Sequence, residues 1–189
     1  MPPPSPPGTP RIDRRLRLVI PVDETARGTI YIHTQPLSLE VFEQYFEVIS
    51  IAHGLLYQQG QSVLSGPRIA AMHIRKAADR LGQRAEVDQG LFPAIEQLTN
   101  VASMEEGKGW TMTPYYNAKA WLDDDDRSRV ENAIAFFIIN SAVMPPSQLP
   151  SLFGLMASLW GAQTTSSNST DFAAGLKTST AAGSTEAAA

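Results

Sequence analysis

The run DDDDRSRVENAIAFFIINSAVMPP, Asp123 to Pro146, decides how the middle of the chain folds. Its leading aspartates suit a helix start, where carboxylates accept orphan backbone N–H groups and offset the macrodipole. Val130, Ala133, Ile134, Phe137, Ile138 and Ala142 then recur on one helical face, and Phe136 and Ile139 widen that stripe around the circumference. A helix apolar on most sides must be buried, so this segment is read as the centre of the core. Pro145-Pro146 closes it, because proline supplies no backbone donor.

C-terminal to it, a last amphipathic helix over about 147–160 carries Leu149, Leu152, Phe153, Met156, Leu159 and Trp160. From Thr164 the chain becomes rich in Ser, Thr and Ala, with Phe172 and Leu176 as its larger apolar side chains. Such a composition buries too little surface to offset the entropy of ordering it. Thr170-Asp171 offers a cap for a single turn that sets Phe172 and Leu176 on one side; alone the turn is unstable, and a partner's groove would order it.

Towards the N-terminus, Thr113-Pro114 opens a short helix to about Leu122, and a weaker helix is read over 91–104, followed by the loop EEGKGW. Gly66-Pro67 opens a helix over 67–81 with Ala70, Ile74, Ala77, Ala78 and Leu81 inward and Arg68, Arg75, Lys76 and Arg80 towards solvent. Ser38 caps a long helix to about Gln59, whose stripe of Phe42, Tyr45, Phe46, Ile49, Ala52, His53 and Leu56 runs beside an acidic strip of Glu40, Glu43 and Glu47. Leu16–Val22 and Thr29–Thr34 are β-prone and separated by the turn residues Asp23 and Gly28, which predicts a hairpin. An isolated hairpin is marginal in water, so it must lie on helices or extend a sheet, including one in a neighbouring subunit. Six prolines among the first ten residues favour a polyproline arm.

The expected fold is therefore mainly α: a compact helical domain of about five to six helices with a small N-terminal β-hairpin and disordered termini. Its divisions are a disordered Pro-rich arm over 1–13, the helical domain over 14–162, and a flexible Ser/Thr/Ala-rich tail over 163–189.

Composition narrows function. At 189 residues the chain holds one core of ordinary size, and 43% hydrophobic with 18% charged residues is a globular composition. A net charge of −4 argues against a nucleic-acid partner. The absence of cysteine removes disulfides, thiolate nucleophiles and Cys-ligated zinc. The N-terminus lacks a secretory h-region and the longest greasy run, Ala133 to Ile139, is far short of a bilayer span, so no membrane partner and no cofactor are expected.

Local chemistry is sparse. Asp123–Asp126 resembles a hard-cation site, but helix capping accounts for it; a metal hydrolase using Asp124 or Asp126 with one histidine is the competing enzyme reading. His33, His53 and His73 show no local ligand spacing, and no G-x-S-x-G, Walker loop or G-x-G-x-x-G occurs. Trp110, Tyr115, Tyr116 and Trp121 form either a stacking platform or ordinary core and rim packing, and no basic stripe accompanies them. Asn168-Ser169-Thr170 matches a glycosylation triplet that has no consequence without secretion. An enzyme is not expected.

The stretches VENAIAFFIINSAV and SLWGAQTTSSNSTDFAAGLKTST, with GTIYIHTQPLSLEVFEQYFEVIS and GPRIAAMHIRKAA upstream, resemble tail assembly chaperones of long-tailed bacteriophages, the group analogous to the lambda G protein. The likeness covers roughly residues 16 to 180. It implies a non-catalytic protein that binds the tape-measure protein, assists recruitment of tail-tube subunits, works in the host bacterial cytoplasm and is absent from the mature virion; self-association is compatible with it. It also implies that this chain is the shorter, unshifted product of a pair related by ribosomal frameshifting. Trp160, Phe172 and Leu176 are the expected partner-binding residues, with the outer face of the 38–59 helix second. The competing assignment is a structural minor tail or neck protein retained in the virion.

Overall fold

The computed structural model describes residues 16–25, 27–58, 65–145 and 147–176; the side chains of Glu24, Leu155, Leu159 and Trp160 lie outside that description, as do the Pro-rich arm and the end of the tail. The hairpin forms where the β-branched residues predict it, β1 (Arg17–Thr25) pairing antiparallel with β2 (Gly28–Thr34). It does not stand alone. β3 (Thr99–Glu105), β4 (Gly109–Pro114) and β5 (Gln163–Thr165) extend it into a five-stranded antiparallel sheet in the order β4-β3-β2-β1-β5. The expectation of a mainly α fold with a small hairpin is thereby corrected: the fold is mixed α/β. The helix read over 91–104 stops at Gln97, and its remainder is a central strand; the loop EEGKGW is the tight turn between β3 and β4, with Gly107 and Gly109 at φ of 76° and 81°. Only glycine enters that region without strain.

Helices cover one sheet face. They are α1 (Leu39–Gln44), α2 (Phe46–Gln58), α3 (Gly66–Leu81), α4 (Arg84–Glu86) running through a π-helical turn (Val87–Leu91) into α5 (Phe92–Gln97), then α6 (Tyr115–Ala118) with a 3-10 turn (Lys119–Trp121), α7 (Asp124–Val143) and α8 (Leu149–Trp160). Ser38 caps α1, its hydroxyl accepting from Val41 N at 3.3 Å, but the single helix expected to Gln59 breaks at Tyr45. The break turns the Tyr45 hydroxyl towards the Glu86 carbonyl at 3.4 Å. Gly90 in the π turn leaves room for it, since a Cβ there would meet that hydroxyl.

α7 behaves as its sequence dictates. The Asp123 carboxylate accepts from Asp126 N at 2.7 Å, and every residue from Ala133 to Ala142 is buried. The cause is position, because α7 contacts β1 on one side and α2 and α3 on others. Leu18, Ile20, Val22, Ile30, Ile32 and Val101 face this helical layer and share its core. Within it the polar Asn140 is satisfied, accepting from the Tyr57 hydroxyl at 2.6 Å and donating to the Phe136 carbonyl at 2.7 Å.

The opposite sheet face is set by register. Val19 lies across from His33 and Gln163, and Tyr31 across from Pro21 and Ala102, so these side chains point away from the helical layer. A final short helix, α9 (Ser169–Gly175), closes over that face, capped by Asn168. Residues 163–176, expected to belong to a flexible tail, thus supply an edge strand and a lid helix.

Candidate functional site

A cavity of about 460 Å³ opens between α3, α5, α6 and α7. Its volume lies within the roughly 300–1,000 Å³ of small-ligand sites. Ile95, Ile134, Ala135 and the Phe92 ring give it an apolar lining, while Arg75, Glu96, Lys119, Arg127 and Glu131 supply charge. The Lys119 ammonium donates to both Glu96 oxygens at 2.9 and 3.0 Å. Arg75 contacts the Glu131 carboxylate and lays its guanidinium over the Phe92 ring, 4.3 Å from the centroid. Arg127 reaches Asp124 at 3.2 Å and the carbonyls of Lys119 and Leu122. Each charge in the site therefore already meets an opposite one or a carbonyl dipole.

Two tyrosines finish the site. Tyr115 is 4% exposed, and burial first, then the nearby Glu96 and Glu131 carboxylates, holds its phenol well above the ordinary tyrosine range. It stays a neutral donor. Tyr116, its neighbour, is 54% exposed at the rim. Of the four aromatic residues grouped in the sequence, Trp110 stands instead on the far sheet face beside Tyr31 and Trp121 lies under the Arg27 guanidinium at 4.6 Å. They form no common platform.

The expected partner-binding residues lie elsewhere. Phe172 on α9 packs edge-on to Tyr31, centroids 5.9 Å apart, and 5.7 Å from His33, so it covers its own sheet. Leu176 ends α9 half-buried, while Trp160 ends α8 with its side chain outside the described residues. On the outer face of α1 and α2, Leu39 and Phe46 are 48% and 49% exposed. Among the described residues no group of three His, Asp or Glu is placed to hold a metal; Asp124 and Asp126 instead meet Arg127 and Arg129. The cavity's residues come from separate stretches between positions 75 and 135 and share no local motif, so spacing gave no route to them.

His33 fastens α9. Its Nε2–H donates to the Ser167 carbonyl at 3.1 Å, while Nδ1 is buried without a partner among the described residues. A second proton would sit on that Nδ1, and burial accordingly holds the imidazole below its ordinary value of 6.5. Burial depresses His53 and His73 in the same direction. The unfolded chain takes up protons as pH falls through about 6.5 while the folded histidines do not, so stability present above that pH declines below it. We expect a lower melting temperature at pH 5.5 than at pH 7.5, with amide protection factors over 163–176 falling first. A melting temperature flat across that interval would contradict the assignment.

No helix among the described residues is long and apolar enough to cross a membrane. No family model matches this chain, and neither a curated protein nor a solved structure matches it.

Proposed function

We propose that this chain is a tail assembly chaperone of a long-tailed bacteriophage, a non-catalytic protein that binds the tape-measure protein and assists recruitment of tail-tube subunits. It would act in the host bacterial cytoplasm and be left out of the mature virion. The likeness of the quoted stretches supports the family. The observation that carries a binding role is the cavity beside Tyr116, whose apolar lining and internally paired charges suit it to receive anchor side chains from an extended helical client. Exposed Leu39 and Phe46 add apolar surface of the kind that shields a client from self-association. Many copies would coat one client by avidity.

Ala120 provides the test, because it lines the cavity and its own side is exposed. Ala120→Trp is expected to fill the opening, weaken binding to a tape-measure fragment about tenfold or more, the loss of one anchor contact, and leave the melting temperature unchanged. Titration by calorimetry reads the first and thermal denaturation the second. Unchanged affinity would remove the cavity from the binding surface.

A further inference from the structure

Two exposed helical faces on this molecule have opposite charge, and each carries an uncovered apolar side chain. On α1 and α2, Leu39 and Phe46 lie open to solvent, with the Phe46 ring edge-on to Phe42 at 5.6 Å. Exposed Glu40, Glu43 and Glu47 frame them, and none of these carboxylates has an ion-pair or hydrogen-bond partner among the described residues. On α3, Met72 is 52% exposed and stands between Arg68 and Lys76, with Arg80 one turn further. Positions four apart make one ridge along a helix, about 18 Å from Arg68 to Arg80 at 1.5 Å per residue. These cations too have no ion-pair or hydrogen-bond partner among the described residues, whereas Arg75, off the ridge, is engaged by Glu131 and Asp88.

We propose that the acid-framed Leu39/Phe46 face of one copy docks on the base-framed Met72 ridge of a second copy. The occupant follows from complementarity: each face offers three unpaired charges around a large apolar side chain, and the other face supplies the matching sign and a matching apolar contact. Like faces repel, which fixes the pairing. This self-association is independent of the client cavity, whose residues it does not use.

Sedimentation velocity of the full chain across a concentration series tests it. The wild type is expected to associate at low salt and to dissociate at about tenfold lower affinity in 0.5 M NaCl, where exposed charges are screened. Phe46→Ser, E40K/E43K/E47K and R68E/K76E/R80E should each be monomeric, with circular dichroism like the wild type, since all of these positions are exposed. An equimolar mixture of the two charge-reversed variants should associate again, because each then offers the sign the other needs. A wild type that stays monomeric throughout, reversed variants that associate as the wild type does, or a mixture that remains monomeric would each overturn the pairing.

Discussion

Truncation after Ala162 is expected to lower the melting temperature by about 10 °C relative to truncation after Leu176, at roughly 2–4 °C per kcal/mol for a chain of this size. The first variant lacks β5 and α9; the second keeps both. Losing β5 strips β1 of its outer neighbour, which pairs over Arg17–Val19. Losing α9, which packs on β3 and β4, uncovers the sheet face around Ala102, 0% exposed, and removes Phe172 from Tyr31 and His33. Full burial of an aromatic side chain contributes about 1.5–3 kcal/mol, of which half-buried Phe172 supplies only part, and an aromatic pair adds about 0.5–1.5 kcal/mol. The Arg17 guanidinium bond to the Ser166 carbonyl at 2.8 Å and the His33 bond to Ser167 go as well. Ordering the segment offsets part of this gain, so a net loss of several kcal/mol is expected rather than the sum. Tryptophan emission should report the change, because Trp110 sits beside Tyr31 at 5.3 Å on the uncovered face. Equal melting temperatures for the two truncations would show that residues 163–176 contribute nothing to the fold.

The second large effect is at the contact between α3 and α7. Phe136 is 1% exposed, and its ring occupies the space that a side chain at Gly66 would take: a Cβ there would lie 2.6 Å from the ring Cε2. Phe136→Ala is expected to cost about 3–5 kcal/mol through lost burial and an unfilled void. Gly66→Ala should cost about 1–3 kcal/mol for the opposite reason, overpacking against a ring that has nowhere to move. Combining Gly66→Ala with Phe136→Leu gives the added methyl room, so the double variant should be destabilised by less than the sum of the singles. Urea denaturation of the wild type, Gly66→Ala, Phe136→Leu and the double variant measures the coupling. Simple additivity would mean that the close approach of Gly66 to Phe136 does not govern packing.

How legible these features were depends on whether their stabilising partners are local. α7 was legible because burial on every side leaves an unbroken apolar run, and its Asp123 cap needs only the following turn. The same holds for α3, opened by Pro67 and closed by Gly82 in the left-handed region. β3 hides its nature: its buried residues include Thr99, Ala102 and Ser103, small or polar side chains that leave a weak alternation. The usable signal was the pair Gly107 and Gly109 between two β-compatible runs, which marks a hairpin more naturally than a helix end. By composition the tail is too polar to fold by itself, yet it forms β5 and α9. Its order through Leu176 is borrowed from the far sheet face, which exists only because β3 and β4 are strands rather than helix and loop. The helix cap there is Asn168, accepting from Asp171 N at 2.9 Å, two residues before the Thr170-Asp171 cap that the sequence suggests.

The cavity was illegible for a related reason. Arg75, Glu96, Tyr115 and Glu131 converge only through the placement of α3, α5, α6 and α7 against one another. The basic ridge, by contrast, follows the helical period of α3 directly, and the acidic strip is visible as Glu40, Glu43 and Glu47 although it spans the break between α1 and α2 at Tyr45.

The most direct measurement of a client-binding role is the soluble fraction of the tape-measure protein when co-expressed with this chain, compared with its expression alone. A client that is soluble with the chain, insoluble without it, and insoluble again with Ala120→Trp is the predicted result. A client equally soluble in all three cells would contradict the account.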